Sequence, residues 1–188
     1  MDSRQQRAFS TLTDQEIDQM MSLGEHRKIQ TGEYFVREGD VCKYAAYITS
    51  GVMRSFYYSS DREEITYCFR FAGDFVTAYS SFIFQNETPE NIQSITDCEL
   101  ILFRKQDVDK LQESDIKWMR FFKMLAEQEY LYMEKRIFLL QRESAEHRYL
   151  DLLNNHPEYL KQIPLSQIAS YLGITQRHLS RIRKQISI

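Results

Sequence analysis

The sequence predicts an α+β fold in three consecutive parts: an antiparallel, jelly-roll-like β-roll, a long helix, and a C-terminal helix-turn-helix of winged-helix type. Residues 25–104 alternate in polarity between closely spaced turns, which is typical of antiparallel strands. Residues 116–153 contain neither Gly nor Pro, and a seven-residue apolar repeat extends from residue 118 to residue 140, which favours one long helix. Residues 163–184 contain two short amphipathic patterns separated by a Gly. We place the domains at 1–113, 114–142 and 143–188.

The composition is that of a globular protein with an unevenly distributed charge. Of its 188 residues, 43% are hydrophobic and 27% are charged, and the formal net charge is −3. These values are ordinary for globular domains. No Asp or Glu occurs after residue 158, whereas five basic residues do. Such a local cationic surface suits a nucleic-acid partner better than the net charge suggests.

We expect a cytoplasmic protein that does not enter membranes. No stretch approaches the roughly 18 consecutive apolar residues that a membrane span needs. Residues 1–7 lack the apolar core of a signal peptide. Cys42, Cys68 and Cys98 are odd in number and widely separated. Neither a disulfide framework nor a metal site is therefore predicted.

The first elements are a short helix and a series of strands. Thr13, followed three residues later by Glu16, forms a capping-box pattern at the start of an apolar stripe over residues 12–23. After Gly24, short runs rich in Tyr, Phe, Val, Ile and Thr alternate in polarity. Turn residues recur mostly every seven to twelve positions, which is typical of an antiparallel sandwich or barrel.

The long helix presents two apolar rows. Met119, Ala126, Met133 and Leu140 recur every seven residues, and the row through Trp118 lies beside them. One row is expected to pack on the β-roll and the other to form a coiled-coil seam with a second copy of the chain. A single helix buried in its own core is the alternative, because such a helix also has a wide apolar face.

A hinge and two short helices complete the chain. The apolar rows lose register at residues 142–145, and a supporting helix follows until Pro157 stops it. Residues 165–172 then predict an amphipathic helix, Gly173 a turn, and Thr175 the N-cap of a second helix. This helix-turn-helix indicates a DNA reader. The residues expected to contact bases and phosphates are Thr175, Gln176, Arg177, His178, Ser180, Arg181, Arg183 and Lys184.

In this order the parts resemble the Crp/Fnr superfamily of bacterial transcription regulators over nearly the whole chain. The resemblance rests on Arg-Glu-Gly-Asp at residues 37–40, Tyr-Ile-Thr-Ser-Gly at 47–51 with Arg54, Phe-Ala-Gly-Asp at 71–74, Ile-Ala-Ser-Tyr-Leu-Gly-Ile-Thr at 168–175, and Leu-Ser-Arg-Ile at 179–182. It implies a cyclic-nucleotide-binding-type β-roll that senses a small-molecule effector, and a homodimer formed through residues 114–142. It also implies double-stranded DNA and RNA polymerase as partners.

The sequence departs from the family pattern at two places. Gln176 and Arg177 replace the prototype's Arg-Glu pair, so its target sequence is not expected here, although Arg181 matches. Members that bind cyclic nucleotides hold the ribose with a Gly-Glu pair and the phosphate with an Arg-Ser pair, where this chain has Thr77-Ala78 and Thr88-Pro89. A phosphate without a guanidinium partner loses its strongest hydrogen bonds, so we expect that cyclic AMP is not the ligand. By the resemblance, the pocket residues would be Thr77, Ala78, Tyr79, Ser80, Ser81, Thr88, Met133 and Glu134.

We expect no cofactor and no enzymatic activity. Residues 1–41 contain no Cys, unlike the family's iron-sulfur branch, and no nucleophile elbow, phosphate loop or metal-ligand spacing occurs. Four scattered histidines leave the haem-sensing branch open without supporting it; they are His26, His147, His156 and His178. Two alternatives remain: a regulator that needs no ligand, and a β-roll interaction protein with a vestigial DNA reader.

Overall fold

The structure is a computed structural model that describes residues 6–186. The expectation of no signal peptide falls mostly on residues 1–5, outside that range. The N-terminal part contains α1 (Gln6–Phe9), α2 (Asp14–Ser22), β1 (Glu25–Ile29), β2 (Tyr34–Val36), β3 (Tyr44–Ser50), β4 (Val52–Tyr58), β5 (Glu64–Phe71), β6 (Phe75–Val76), α3 (Tyr79–Phe84), β7 (Asn91–Ser94) and β8 (Cys98–Arg104). The helices that follow are α4 (Lys105–Ser114), α5 (Ile116–Arg142), α6 (Ala145–Asn155), α7 (Tyr159–Gln162), α8 (Leu165–Tyr171) and α9 (Gln176–Gln185).

The strands form the predicted β-roll from two four-stranded antiparallel sheets. Their strand orders are β1-β8-β3-β6 and β2-β7-β4-β5. Ile48, Met53, Ile92 and Leu100 are at most 1% exposed and belong to one buried cluster. Removing such apolar side chains from water stabilises the fold by about 25 cal/mol per Å². The α+β class predicted from the sequence is confirmed.

The helix before the strands begins as its sequence predicts. The Thr13 hydroxyl accepts a hydrogen bond from the Glu16 N–H, and the Glu16 carboxylate accepts one from the Thr13 N–H at 2.8 Å. The Lys117 ammonium lies 2.7 Å from the same carboxylate. Its hydrogen bond, together with those from Thr13, lowers the pKa of Glu16 to about 2. Glu16 therefore completes the capping box of α2 and also attaches this helix to the first turn of α5.

Strand β4 is buried on both faces. Residues 52–56 are all buried. Met53 belongs to the core inside the β-roll, whereas Val52 packs with Phe69 of β5 and with the C-terminal helices. The helix-turn-helix region lies against the outer face of this sheet and covers it at Val52 and Phe69.

Helix α5 runs without interruption for 27 residues. Trp118, which is 1% exposed, and the fully buried Phe121 pack in the core of the β-roll. Trp118 is the buried member of its predicted row, whereas Leu125, Tyr132 and Leu139 are half-buried. The opposite face, which we call the α5 seam, is apolar and exposed at Ile116, Met119, Tyr130, Leu131, Ile137 and Phe138. Met119 is the member it shares with the other predicted row, and its role as a dimer seam stays a prediction.

A two-residue connection separates α5 from α6. Glu143 and Ser144 both have extended backbone conformations, and the Ser144 hydroxyl caps α6 by accepting a hydrogen bond from the His147 N–H. The Arg148 guanidinium donates to the carbonyl oxygens of Glu143 and Leu172. Burial, reinforced by the nearby Arg136 charge, lowers the pKa of Arg148. The helix break falls within the predicted hinge; the proposed domain boundaries around it stay predictions.

Candidate DNA-binding surface and effector cavity

The two C-terminal helices α8 and α9 pack through small and branched side chains. Ile168 and Leu179 are fully buried, and Ala169 is 1% exposed. The intervening Gly173 has φ +68°, a backbone conformation that residues with a Cβ adopt only at a cost in free energy. The Thr175 hydroxyl accepts a hydrogen bond from the His178 N–H at 3.2 Å, which caps α9 as the sequence predicts.

The outer face of α9 is polar, basic and open to solvent. Six of the residues predicted to contact DNA are exposed, and His178 and Arg183 are half-buried beside the apolar stripe. Within residues 6–186, none of the four Arg and Lys side chains of α9 forms a salt bridge. The exposed predicted residues are Thr175, Gln176, Arg177, Ser180, Arg181 and Lys184. Their charge is therefore available to an anionic partner, and their contact with DNA stays a prediction.

Helix α8 covers the free edge of strand β5. The Thr66 N–H donates to Ser170 Oγ at 2.9 Å, and this hydroxyl donates in turn to the Glu64 carbonyl oxygen at 2.8 Å. An edge strand otherwise leaves such backbone groups without protein partners. The helix-turn-helix is thus attached to the β-roll by hydrogen bonds between the Ser170 hydroxyl and the β5 backbone as well as by apolar packing.

Arg136 joins the long helix to both of these elements. Its guanidinium donates to the Tyr171 carbonyl oxygen at 2.7 Å and to the Thr66 carbonyl oxygen at 3.4 Å. It also lies 3.7 Å from the centre of the Tyr171 ring, a favourable position for a cation beside an aromatic face. The Arg136 side chain is 8% exposed. A charge this deeply buried is retained only with such partners.

Aromatic side chains complete the contact between the helix-turn-helix and the β-roll. The Tyr159 ring stacks on Phe71 of β5 at 4.9 Å between centroids and meets Phe69 edge-on at 5.4 Å. The Tyr132 and Tyr171 hydroxyls lie 2.7 Å apart. Sequence reasoning missed this contact and Arg136. The available signal was one Arg directly before the apolar Ile-Phe-Leu-Leu run of α5.

A cavity of about 530 Å³ lies between the β-roll and α5. Besides α5 and β5, residues of α2, α3 and α4 contribute to its walls. Four of the predicted pocket residues line it: Thr77, Tyr79, Ser80 and Met133. Three of these surround one end of α3, as the resemblance implies.

The other four predicted pocket residues do not line this cavity. Ala78 is fully buried in the β-roll core. Ser81 is buried too, because its hydroxyl accepts from the Cys42 N–H and donates to the Asn86 carbonyl oxygen. Thr88 is 2% exposed and accepts a hydrogen bond from the Glu90 N–H. Glu134 is half-buried on α5 outside the lining. In the short helix α3, residues 79, 80, 82 and 83 line the cavity, whereas Ser81 does not.

Polar side chains from β5 form one wall of the cavity. Arg70 Nη2 lies 2.5 Å from a carboxylate oxygen of Glu129 on α5. The Tyr67 hydroxyl donates to the Glu90 carboxylate. Burial raises the pKa of Glu90 against the opposing effects of Tyr67 and Arg70, and it raises the pKa of Tyr67 well above its usual range. The Arg70–Glu129 ion pair is also a direct link between β5 and α5.

No helix within residues 6–186 is long and apolar enough to cross a membrane. Over the same range, no three His, Cys, Asp or Glu residues are grouped closely enough to hold a metal ion. The cysteines at positions 42, 68 and 98 are buried and form no disulfide.

Comparison with known proteins agrees with this architecture. Residues 26–115 match the cyclic nucleotide-binding domain family. Electron transport regulator A of Shewanella oneidensis is 25% identical over 186 positions, covering 92% of this chain and 73% of the relative. The fumarate and nitrate reduction regulatory protein of Vibrio cholerae is 26% identical over 184 positions, with the same coverage of both chains.

Solved structures show the same fold. FixK2 from Bradyrhizobium japonicum superimposes with a TM-score of 0.75 at 20% identity, covering 87% of this chain and 84% of that one. The chain is therefore similar to the cyclic nucleotide-binding domain family over residues 26–115 and shares the fold of FixK2, in agreement with the resemblance that its motifs indicate.

Proposed function

We propose that the chain is a cytoplasmic, homodimeric, DNA-binding transcriptional regulator that responds to a small molecule bound beside α5. The observation that carries this proposal is the exposed basic face of α9, mounted on a capped and well-packed helix-turn-helix. A vestigial DNA-binding helix would not be expected to keep the Thr175 cap together with four basic side chains that form no salt bridge within residues 6–186. The names of the relatives, both regulatory proteins, agree with it.

The α5 seam supports the homodimer. Its exposed apolar positions at 116, 119, 130 and 137 fall on the positions of one coiled-coil heptad repeat, because their separations of 3, 11 and 7 residues are sums of alternating three- and four-residue steps. A dimer would place two α9 helices on successive major grooves, whose centres lie roughly 34 Å apart. RNA polymerase is the partner that a regulator bound near a promoter would meet.

Contacts along α5 indicate how a ligand signal would reach α9. Ala126, Tyr130 and Met133 line the cavity and lie on or beside the α5 seam. One turn further along α5, Arg136 holds α8 against β5. A ligand that shifts α5 would change this attachment, and with it the population of reader orientations. A regulator that needs no ligand would keep the attachment unchanged.

Salt-dependent binding to a mixed-sequence DNA duplex tests the DNA-binding part. A dimer that neutralises about six phosphates should lose roughly three orders of magnitude in affinity between 50 and 200 mM salt. Arg181→Ala should lower both the affinity and the slope. Lys110 is exposed on α4, outside the helix-turn-helix, and Lys110→Ala is the matched control. Salt-independent binding, or equal effects of the two substitutions, would contradict the proposal.

A further inference from the structure

We infer that the cavity between the β-roll and α5 takes an uncharged, mainly apolar ring compound and rejects anions. The inference deepens the proposed function, because it names the ligand class of the proposed effector site. The cavity has a volume of about 530 Å³, which lies within the range of roughly 300–1,000 Å³ found for small-molecule sites. Both the lining side chains of the cavity and the existing partners of its charged groups favour such a ligand.

The walls are predominantly apolar and aromatic. Residues from eight different elements line the cavity, so a ligand there would be enclosed rather than adsorbed on one face. Such walls favour planar rings, which gain both burial and edge or face contacts. The aromatic lining residues are Tyr67, Phe75, Tyr79, Phe82, Phe103, Phe122 and Tyr130.

The charges in the lining disfavour an anion. Arg70 is the single cationic residue among the described lining residues, against the three acidic residues Glu90, Asp107 and Glu129. Its guanidinium is already engaged by Glu129 at 2.5 Å, and the two side chains are only 12% and 27% exposed. A carboxylate or phosphate ligand would have to displace Glu129 and leave a second buried carboxylate behind, which is costly.

A cation gains little in the same site. Glu129 is held by Arg70, Glu90 accepts from the Tyr67 hydroxyl, and Asp107 lies 3.7 Å from Lys110. Burial raises the pKa of Glu90, which weakens its hold on a positive charge. The Ser80 hydroxyl and the Gln112 amide line the cavity and make no side-chain hydrogen bond in the described part of the chain. They suit a neutral hydroxyl or carbonyl group.

Two matched dyes test the inference on the full-length protein. N-phenyl-1-naphthylamine is uncharged and fluoresces in apolar surroundings, and 8-anilino-1-naphthalenesulfonate is the same ring system with a sulfonate. We expect the neutral dye to bind at one site per chain, at least tenfold more tightly than the sulfonate. Equal affinities, or tighter binding of the sulfonate, would overturn the inference.

Substitutions locate the dye and test the charge argument. Leu125→Trp, which fills the cavity, should abolish neutral-dye binding in a protein that circular dichroism shows to be folded. Glu129→Gln releases Arg70 and should improve binding of the sulfonate about tenfold without affecting the neutral dye. Glu127→Gln is the matched control, because it breaks the exposed Lys123–Glu127 pair on the same helix and should change neither dye. Neutral-dye binding that survives Leu125→Trp places the dye on another surface and refutes the assignment.

The ligand inference and the proposed function fail in different ways. A protein that binds the duplex with the expected salt slope but not the neutral dye retains the reader and loses this ligand class. A protein that binds the neutral dye in the cavity but no duplex retains the ligand class and loses the regulator. Each outcome is read from a separate titration.

Discussion

Arg136 is the residue whose replacement tests the attachment of the helix-turn-helix to the β-roll. Arg136→Met keeps an unbranched apolar side chain of similar length but removes the guanidinium. That group donates to Tyr171 at 2.7 Å and more weakly to Thr66 at 3.4 Å. A hydrogen bond from a charged donor contributes about 1.5–3 kcal/mol, and a desolvated cation beside an aromatic ring adds about 1 kcal/mol. We expect the attachment to weaken by about 3 kcal/mol.

Hydrogen exchange at one amide reports the attachment directly. The Thr66 N–H donates to Ser170 Oγ, so it exchanges when α8 separates from β5. Since about 1.4 kcal/mol corresponds to a factor of ten, Arg136→Met should accelerate this exchange about a hundredfold. Amides in the centre of the β-roll, such as that of Ile48, should keep their protection.

A neighbouring position provides the control for this experiment. Lys135 is exposed on the same helix, and Lys135→Met should leave exchange at Thr66 unchanged. Unchanged exchange in Arg136→Met would show that aromatic packing alone holds the helix-turn-helix. Equal acceleration at Thr66 and Ile48 would show global destabilisation instead of local separation. Either result refutes the role given to Arg136.

Three further predictions concern other parts of the chain. Because burial raises the folded-state pKa of Glu90, wild-type stability should fall as pH rises above about 4.5; Glu90→Gln should be more stable at pH 7 and equal at pH 4 in thermal unfolding. Tyr130→Glu puts facing charges into the α5 seam, where Tyr130 is 66% exposed, and should weaken dimerisation at least tenfold in light scattering while the monomer stays folded. Gly51→Ala places a Cβ 2.4 Å from the Asp97 carbonyl oxygen at φ +96° and should lower the free energy of unfolding by about 2–4 kcal/mol in urea. The control Gly32→Ala, whose Cβ would have nothing within 4 Å, should lower it by only about 1 kcal/mol. Equal losses in the two variants would contradict the steric argument.

Local features were predictable from the sequence because neighbouring residues determine them. The capping box at Thr13, the cap at Thr175 and the turn at Gly173 depend on side chains within four positions. The end of α5 at Arg142 likewise follows from the loss of the apolar repeat. Each of these signals acts over one or two helical turns, so one sequence is enough to recognise it.

Contacts between distant segments were not predictable in the same way. Ser170 bonds to β5 backbone groups more than one hundred positions earlier, at |i−j| of 104 and 106, and no periodicity signals such a contact. Ala78 and Ser81 do not line the cavity, because the family pattern locates the segment, whereas the turn of α3 decides which side chains face the cavity. The Arg70–Glu129 pair joins a strand and a helix, and neither residue stands out in its own element.

Footprinting on selected DNA tests the central proposal most directly. Random duplexes would be enriched for binding to the full-length protein and probed with hydroxyl radicals. A homodimer reading DNA through α9 predicts a two-fold symmetric site with two protected patches about one helical turn, roughly 34 Å, apart, both lost in Arg181→Ala. No enrichment, a single protected patch, or a footprint unchanged in Arg181→Ala would contradict it.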